Sequence, residues 1–166
     1  MYKSGSMMQR LSLALGWLLV SGLWQPVLAG ETESIAAVEV SNKPLIGINC
    51  DVQGEKPRKI GLSHLYVEAV QKAGGIAVLL PPMAPADLNT VLPHLDGVLM
   101  IGGDDYPPAL YGEKPHASVS IMDKTRSDFD MALVKAAIAQ KDMPFLGICA
   151  GCQALNIGTG GSLIQD

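Results

Sequence analysis

The sequence predicts an α/β fold in which helices cover both faces of a parallel sheet. Short apolar runs alternate with amphipathic segments from residue 45 to residue 157, which is the pattern of parallel strands and their connecting helices. The runs are continuously apolar rather than alternating, as expected for strands buried on both faces. Glycine, proline, asparagine and aspartate residues separate the segments and provide the turns.

Four apolar runs have the length and composition of buried strands. They are LIGI at 45–48, IAVLL at 76–80, GVLMI at 97–101 and PFLGI at 144–148. A further strand is expected to begin at residues 162–165. In open parallel sheets the chemistry collects at the carboxyl ends of the strands, so the segments that follow residues 101 and 148 are the candidate sites.

Helices are predicted between the strands from apolar spacing and from end signals. Ser63 provides an N-cap for the first helix, which Gly74-Gly75 ends. Apolar residues recur at i, i+3, i+4 and i+7 over residues 87–95 and predict a second helix. The remaining helices are expected over residues 127–140 and 151–157, after a long loop.

The first 29 residues have the organisation of a secretory signal peptide. Lys3 and Arg10 form a positive segment, residues 11–23 are apolar, and small or apolar groups lead to a cleavage site at Ala29. An uncleaved anchor is the alternative, although the apolar stretch is short for a spanning helix, which needs about 20 residues. We therefore expect a secreted or periplasmic protein that has no membrane contact after cleavage.

Two segments follow the expected cleavage site. Residues 30–42 form a polar, acidic lead, and residues 43–166 form the folded domain. The chain has 12 basic and 16 acidic residues, a formal net charge of −4, and loss of the two basic residues before residue 30 makes it −6. An acidic chain has no basic footprint for nucleic acid, so the expected partner is a small molecule. The oligomeric state is left open.

The chain has three cysteines, Cys50, Cys149 and Cys152. An odd number in an exported protein leaves at least one thiol free and argues against a disulfide framework. The C-x-x-C spacing of the last two is also that of a redox pair, and this alternative stays open. Haem attachment needs a histidine after the second cysteine, where Gln153 stands.

Cys149 lies where the fourth predicted strand meets a predicted helix. A nucleophile in that position sits on a sharp turn that needs small neighbours, which Gly147 and Gly151 supply. At a helix N-terminus the amides and the helix dipole favour a thiolate. The amide of Ala150 and the amide of Gly103, at the tip of the third strand, are candidate donors to an oxyanion.

The stretch from Gly147 to Gln153 reads GICAGCQ, and its G-x-C-x-G-x-Q pattern resembles the nucleophile elbow of class I glutamine amidotransferase-like domains. The closer similarity is to their gamma-glutamyl-gamma-aminobutyrate hydrolase branch, from about Lys43 to the end of the chain. The other matching segments are KPLIGI at 43–48, YVEAV at 66–70, AGG at 73–75, LDGV at 95–98, GG at 102–103, LYGE at 110–113, RSD at 126–128 and GGSL at 160–163.

The resemblance implies a flavodoxin-like three-layer sandwich, incomplete at its C-terminus in this chain. It also implies a hydrolase that cleaves γ-glutamyl amides through a thioester on Cys149, with the amides of Gly103 and Ala150 as oxyanion donors. No metal and no cofactor are implied.

Three further residues are assigned to the site by the resemblance. Gly102 and Gln153 are expected to hold the glutamyl group of the substrate. Arg126 is expected to support the site, with a structural ion pair to Asp128 or Asp130 as the alternative.

The histidines of the chain depart from the family pattern. The family orients its nucleophile with a histidine and a glutamate that follow it in sequence, whereas His64, His94 and His116 all precede Cys149. We expect the chain to be the N-terminal portion of a longer hydrolase domain, and to lack hydrolase turnover by itself because the histidine–glutamate pair is absent. A complete domain that lacks the hydrolase mechanism is the alternative.

Overall fold

The computed structural model describes residues 42–165. The predicted signal peptide and the predicted lead, apart from Asn42, lie outside the described residues. The strands are β1 (Leu45–Asn49), β2 (Asp51–Gln53), β3 (Lys59–Gly61), β4 (Ile76–Leu80), β5 (Gly97–Met100) and β6 (Phe145–Gly147). The helices are α1 (His64–Lys72), α2 (Pro85–Val91), α3 (Lys124–Ala139) and α4 (Ala150–Gly158). Short 3₁₀ segments lie at Leu92–His94 and Pro108–Tyr111.

Four of the strands form a parallel sheet in the order β4-β1-β5-β6. These are the second, first, third and fourth parallel strands in chain order, which is the order of the flavodoxin-like fold. The α/β class and the parallel sheet predicted from the sequence are confirmed. The order reverses between β1 and β5, so a crevice for ligands is expected outside the carboxyl ends of these two strands.

Successive side chains of β5 enter two apolar clusters, one on each face of the sheet. Val98 and Met100 pack in the larger cluster with side chains of α2, α3 and α4. Leu99 and Ile101, the residue after the strand, lie in a smaller cluster with Val70 of α1. The sheet is therefore the middle layer of three, and burial on both faces explains why the β5 run is continuously apolar.

Two of the helices, α1 and α3, begin at side-chain caps. Ser63 caps α1, and its side chain accepts a backbone hydrogen bond of the first turn. α3 begins at Lys124, earlier than predicted, because the carboxylate of Asp123 accepts hydrogen bonds from the amides of Thr125 and Arg126. In the described part of the chain, no helix is both long enough and apolar enough to cross a membrane.

A hairpin made of β2 and β3 stands at the carboxyl end of β1 and was not predicted. Each of its strands has three residues, and β3 is exposed throughout, so neither strand carries the apolar run that identifies a buried strand. The hairpin lies antiparallel, with Val52 opposite Ile60. It forms one wall of the crevice described below.

The predicted strand at residues 162–165 is wrong, because this segment has no regular structure. The carbonyl of Ser162 accepts a hydrogen bond from the side chain of Asn156, and the side chain of Gln165 donates to Glu113. Side-chain hydrogen bonds to a helix and a loop therefore hold the segment in place of a strand ladder.

We expect Leu133→Ala to lower the free energy of unfolding by about 2–5 kcal/mol, because Leu133 of α3 is fully buried in the larger cluster. Ile138→Ala on the same helix is the matched control, since that side chain is 49% exposed. Urea unfolding of both variants measures the difference. Equal losses would contradict the assignment of the core to this face of α3.

Candidate active site

Cys149 lies between β6 and α4 in a backbone conformation that few residues other than glycine adopt. Its φ is 52° and its ψ is −111°, and a positive φ is costly for a residue with a Cβ. Two hydrogen bonds stabilise the turn. The amide of Gly151 donates to the carbonyl of Ile148 at 2.9 Å, and the amide of Cys152 donates to the carbonyl of Cys149 at 2.8 Å. The thiol is exposed at the N-cap of α4, so the strand, turn and helix of an elbow are all present.

Close backbone packing explains the glycines on either side of this turn. A Cβ on Gly147 would lie 2.5 Å from the carbonyl carbon of Gly151. A Cβ on Gly151 would overlap the carbonyl oxygen of Met100 and lie 2.8 Å from the Met100 side chain. α4 therefore contacts β5 and β6 through bare backbone, which places its N-terminus at the carboxyl edge of the sheet.

The segment after β5 lies alongside Cys149. A Cβ on Gly102 would lie 3.5 Å from the Cβ of Cys149 and 3.5 Å from the hydroxyl of Tyr66. Within residues 42–165, the amides of Gly103 and Ala150 donate to no acceptor. Gly103 is exposed and Ala150 is buried. The two backbone donors selected from the sequence are thus both without a partner in this part of the chain.

The side chain of Arg126 lies beneath this segment and is 1% exposed. Its Nη2 donates to the carbonyl of Gly102 at 2.9 Å and to that of Ile101 at 3.3 Å. Its Nη1 donates to Asp51 at 3.0 Å, and its Nε donates to Asp130 at 3.2 Å. Each nitrogen of the guanidinium therefore donates within the protein.

The ion pair that the sequence offered as an alternative role for Arg126 forms with Asp130. Asp128, the other candidate partner, pairs with Lys124 on the exposed side of α3. A contact between Arg126 and substrate stays a prediction.

Asn49 and Tyr106 complete the buried polar network, and neither was predicted as a site residue. Asn49, at the end of β1, donates to Asp130 at 2.8 Å and accepts from the amide of Ile101 at 2.7 Å. The hydroxyl of Tyr106 donates to Asp130 at 2.6 Å. Asn49 ends a central strand, and this position could have predicted a polar residue at the crevice. Nothing in the loop sequence indicated that Tyr106 is buried.

Burial and hydrogen bonding together set the charges of this network. Burial raises the pKa of Asp130, although the hydrogen bond of Tyr106 and the charge of Arg126 oppose the change. Burial acts to lower the pKa of Arg126, but the charge of Asp130 and the hydrogen bond to Asp51 raise it above its ordinary value. Burial likewise acts to raise the pKa of Asp51, yet hydrogen bonds from Gln53 and Arg126 bring it below its ordinary value. The guanidinium therefore carries its charge at neutral pH.

A cleft of about 530 Å³ opens at the carboxyl ends of β1 and β5, beside the β2–β3 hairpin and α1. Asp51 and Lys59 line its hairpin side, and Tyr66 lines its helix side. The hydroxyl of Tyr66 accepts from the amide of Gly102 at 3.2 Å. Since Gly102 also lines the cleft, the cleft adjoins Cys149.

Gln153 lies one helical turn after Cys149, so the two residues share a face of α4. Gln153 lines a cavity of about 50 Å³ together with Asp105 and Tyr111. Its expected contact with the glutamyl group stays a prediction.

None of the histidines in the described chain forms a hydrogen bond with Cys149. His64 lies 3.1 Å from Glu68 on the exposed side of α1, and His116 lies 2.8 Å from Ser118 in the loop before α3. His94 ends a 3₁₀ segment. The residues from 42 to 165 therefore place an exposed thiol next to the unpartnered amide of Ala150 and alongside the segment that holds Gly103, without a histidine on the thiol.

The three thiols have different surroundings, and all three are free. Cys50 is buried, and burial raises its pKa. Cys152 is exposed, and its Sγ donates to the carbonyl of Gly147 at 2.7 Å. Over residues 42–165, no three His, Cys, Asp or Glu side chains form a group that could hold a metal ion.

A cysteine on such an elbow, above a sheet of flavodoxin-like order, defines one class of protein, the class I glutamine amidotransferase-like domains. Within this class, residues 44–166 match the peptidase C26 family. The match covers well over half of the chain, and the chain belongs to this family.

Relatives of known name include hydrolases. The chain is 35% identical over 131 residues to gamma-glutamyl-gamma-aminobutyrate hydrolase of Escherichia coli O157:H7, across 75% of this chain and 49% of that protein. It is 38% identical over 101 residues to a glutamine amidotransferase-like YvdE homologue of Lactococcus lactis subsp. cremoris, across 61% of this chain and 53% of that protein. It is 37% identical over 101 residues to protein NtpR of Enterococcus hirae, across 61% of this chain and 42% of that protein. The chain thus spans about half the length of the curated relatives it matches.

We expect Gly151→Ala to destabilise the chain by about 1–3 kcal/mol, because its Cβ would overlap the backbone of Met100. Gly61→Ala is the matched control, since a Cβ there would meet nothing within 4 Å. The midpoint of thermal unfolding measures stability, and the rate of Cys149 alkylation by iodoacetamide reports on the elbow. A Gly151→Ala protein as stable as Gly61→Ala would show that α4 can move away from β5 at no cost.

Proposed function

We propose that this chain carries the nucleophile and the oxyanion donors of a hydrolase that cleaves γ-glutamyl amides. The observation that carries the proposal is Cys149 on a strained elbow, with the amides of Gly103 and Ala150 free of partners. The amide of Ala150 belongs to the first turn of α4, where amides have no partner within the helix, and the amide of Gly103 lies in an exposed segment, so both are free to donate to a ligand. The oxygen of a carbonyl group under attack by Cys149 is an acceptor of the required kind.

The choice of a γ-glutamyl amide rests on the relatives. The family is one of hydrolases and amidotransferases, and the relative from Escherichia coli is named for the hydrolysis of gamma-glutamyl-gamma-aminobutyrate. In this proposal Gln153 and Gly102 hold the glutamyl group. The departing amine occupies the cleft between the hairpin and α1.

The proposed reaction has two steps. In the first, the Sγ of Cys149 attacks the γ-carbonyl carbon, and negative charge gathers on the carbonyl oxygen beside the two amides. The C–N bond then breaks, the amine leaves with a proton, and a γ-glutamyl thioester remains on Cys149. In the second step, water attacks the thioester carbonyl, which releases glutamate and returns the thiol. No metal ion or cofactor is needed for either step.

The first step is the one that the described residues support directly. Cys149 is exposed at the N-cap of α4, and the free amides at this helix end stabilise negative charge that develops on a carbonyl oxygen under attack. The family resemblance assigns proton transfer to a histidine and a glutamate, and none of the described histidines contacts Cys149. Acylation is therefore the step to measure in this chain.

We expect γ-glutamyl-p-nitroanilide to acylate the chain at Cys149, with release of p-nitroaniline. Intact mass spectrometry will show one added glutamyl group, and peptide mapping will place it on Cys149. Cys149→Ala is expected to abolish the adduct, because it removes the attacking sulfur, whereas Cys152→Ala is expected largely to retain it.

The redox alternative makes the opposite prediction for these variants. Equal loss of acylation in Cys149→Ala and Cys152→Ala would count for a redox pair. A wild-type chain that is folded, is alkylated by iodoacetamide at Cys149 and yet is never acylated would contradict the proposed function.

We also propose that the protein is exported, with cleavage after Ala29. The support is the order of a positive segment, an apolar stretch and small residues in the first 29 positions. N-terminal sequencing of the protein from the periplasm or the medium is expected to begin at Gly30. Ala29→Arg is expected to block processing because a large charged residue at this position does not suit the peptidase, and Ala36→Arg is the control. A mature protein that keeps Met1 would contradict the proposal.

A further inference from the structure

We infer that Arg126 positions an oxyanion donor of this site without touching the substrate. Its guanidinium holds the carbonyl of Gly102 and thereby directs the amide of Gly103 towards the reacting carbonyl oxygen. The inference rests on the proposed function, because it assigns a task within the same site.

The geometry of one peptide bond carries the inference. The peptide between Gly102 and Gly103 is trans, so its C=O and its N–H point in opposite directions. Nη2 of Arg126 binds the carbonyl oxygen at 2.9 Å from the buried side. The N–H of Gly103 is therefore turned away from the guanidinium and towards the exposed side of the segment.

In the backbone from Ile101 to Gly103, every polar group before the amide of Gly103 has a hydrogen-bond partner. The amide of Ile101 donates to Asn49 and its carbonyl accepts from Arg126. The amide of Gly102 donates to Tyr66 and its carbonyl accepts from Arg126. The amide of Gly103 is the first of this series without a partner in the described chain. Because the amides and carbonyls of Ile101 and Gly102 are all hydrogen-bonded, the orientation of the Gly103 N–H is fixed.

The guanidinium is itself held in place from two sides. Asp51 binds Nη1 at 3.0 Å and Asp130 binds Nε at 3.2 Å. Two carboxylates on different nitrogens of a planar group fix its orientation as well as its position. A hydrogen bond to a peptide carbonyl also polarises the peptide and strengthens donation from its N–H.

The glycine at position 103 fits this role for Arg126. A Cβ at that position would lie 2.5 Å from Nη1 and 3.0 Å from Cζ of Arg126. The backbone φ of Gly103 is not in the left-handed region, so its conformation does not itself require glycine. The absence of a side chain is instead what lets the guanidinium lie against the segment.

The test compares two reactions of Cys149 in a Cys152→Ala background. Acylation by γ-glutamyl-p-nitroanilide develops an oxyanion: the S–C bond forms, the C–N bond breaks and p-nitroaniline leaves with the thiol proton. Alkylation by iodoacetamide displaces iodide and develops no oxyanion, so it reports only on the thiolate and on folding. We expect Arg126→Lys to slow acylation roughly 10- to 100-fold and to leave alkylation unchanged, because lysine keeps the charge but lacks the planar fork.

Two further variants make the comparison decisive. Lys124→Met removes an exposed cation from the same helix and is expected to change neither rate. Since a lone Asp130 is costly to bury, the double variant Arg126→Met/Asp130→Asn removes both buried charges and is expected to slow acylation selectively as Arg126→Lys does. Equal slowing of both reactions, or unchanged acylation, would overturn the inference.

A crystal structure of Arg126→Lys separates this inference from the proposed function. If the wild-type chain is never acylated, the proposed function fails, and the orientation of the Gly102–Gly103 peptide decides the inference by itself. A rotated or disordered peptide supports a positioning role. A peptide that keeps its wild-type orientation overturns it.

Discussion

A guanidinium buried beneath the carboxyl ends of the central strands has to be neutralised where it lies. Asp51 of β2 and Asp130 of α3 supply the opposite charges for Arg126, and Asn49 of β1 binds Asp130 in turn. One charge therefore ties a helix, a hairpin and the end of a central strand into a single unit. Loss of one member of such a buried pair costs about 3–5 kcal/mol, because its partner stays charged out of water.

The two halves of the candidate site depend on different physical devices. The nucleophile is placed by close contact, since Gly147 and Gly151 let the backbone of α4 lie directly on the sheet. The opposite wall is placed by polar contacts, since hydrogen bonds from side chains hold the segment after β5. Added volume at the two glycines disrupts the placement of the nucleophile, whereas loss of a hydrogen-bonding side chain disrupts the opposite wall. Both converge on the space beside Cys149.

Periodicity and turn chemistry were sufficient to predict the parallel sheet, its four helices and the elbow, because each of these has a local signature in the sequence. The hairpin β2–β3 escaped prediction because its strands are short and exposed. The buried network escaped for a different reason, since the bonds of Asn49 and Tyr106 to Asp130 join residues that are 81 and 24 positions apart. The segment at residues 162–165 was wrongly predicted as the start of a strand, and Ile164 within it is almost fully exposed.

The contact between Gly103 and Arg126 also bears on how such a sequence can change over generations. A side chain at position 103 requires the guanidinium at position 126 to move, because its Cβ would lie 2.5 Å from Nη1. Loss of the guanidinium first leaves two carboxylates without their counter-ion. Either single substitution therefore disturbs the surroundings of the other residue, and the effects of changes at the two positions on stability are expected to be non-additive. The two residues are thus coupled through space, although 22 residues of sequence lie between them.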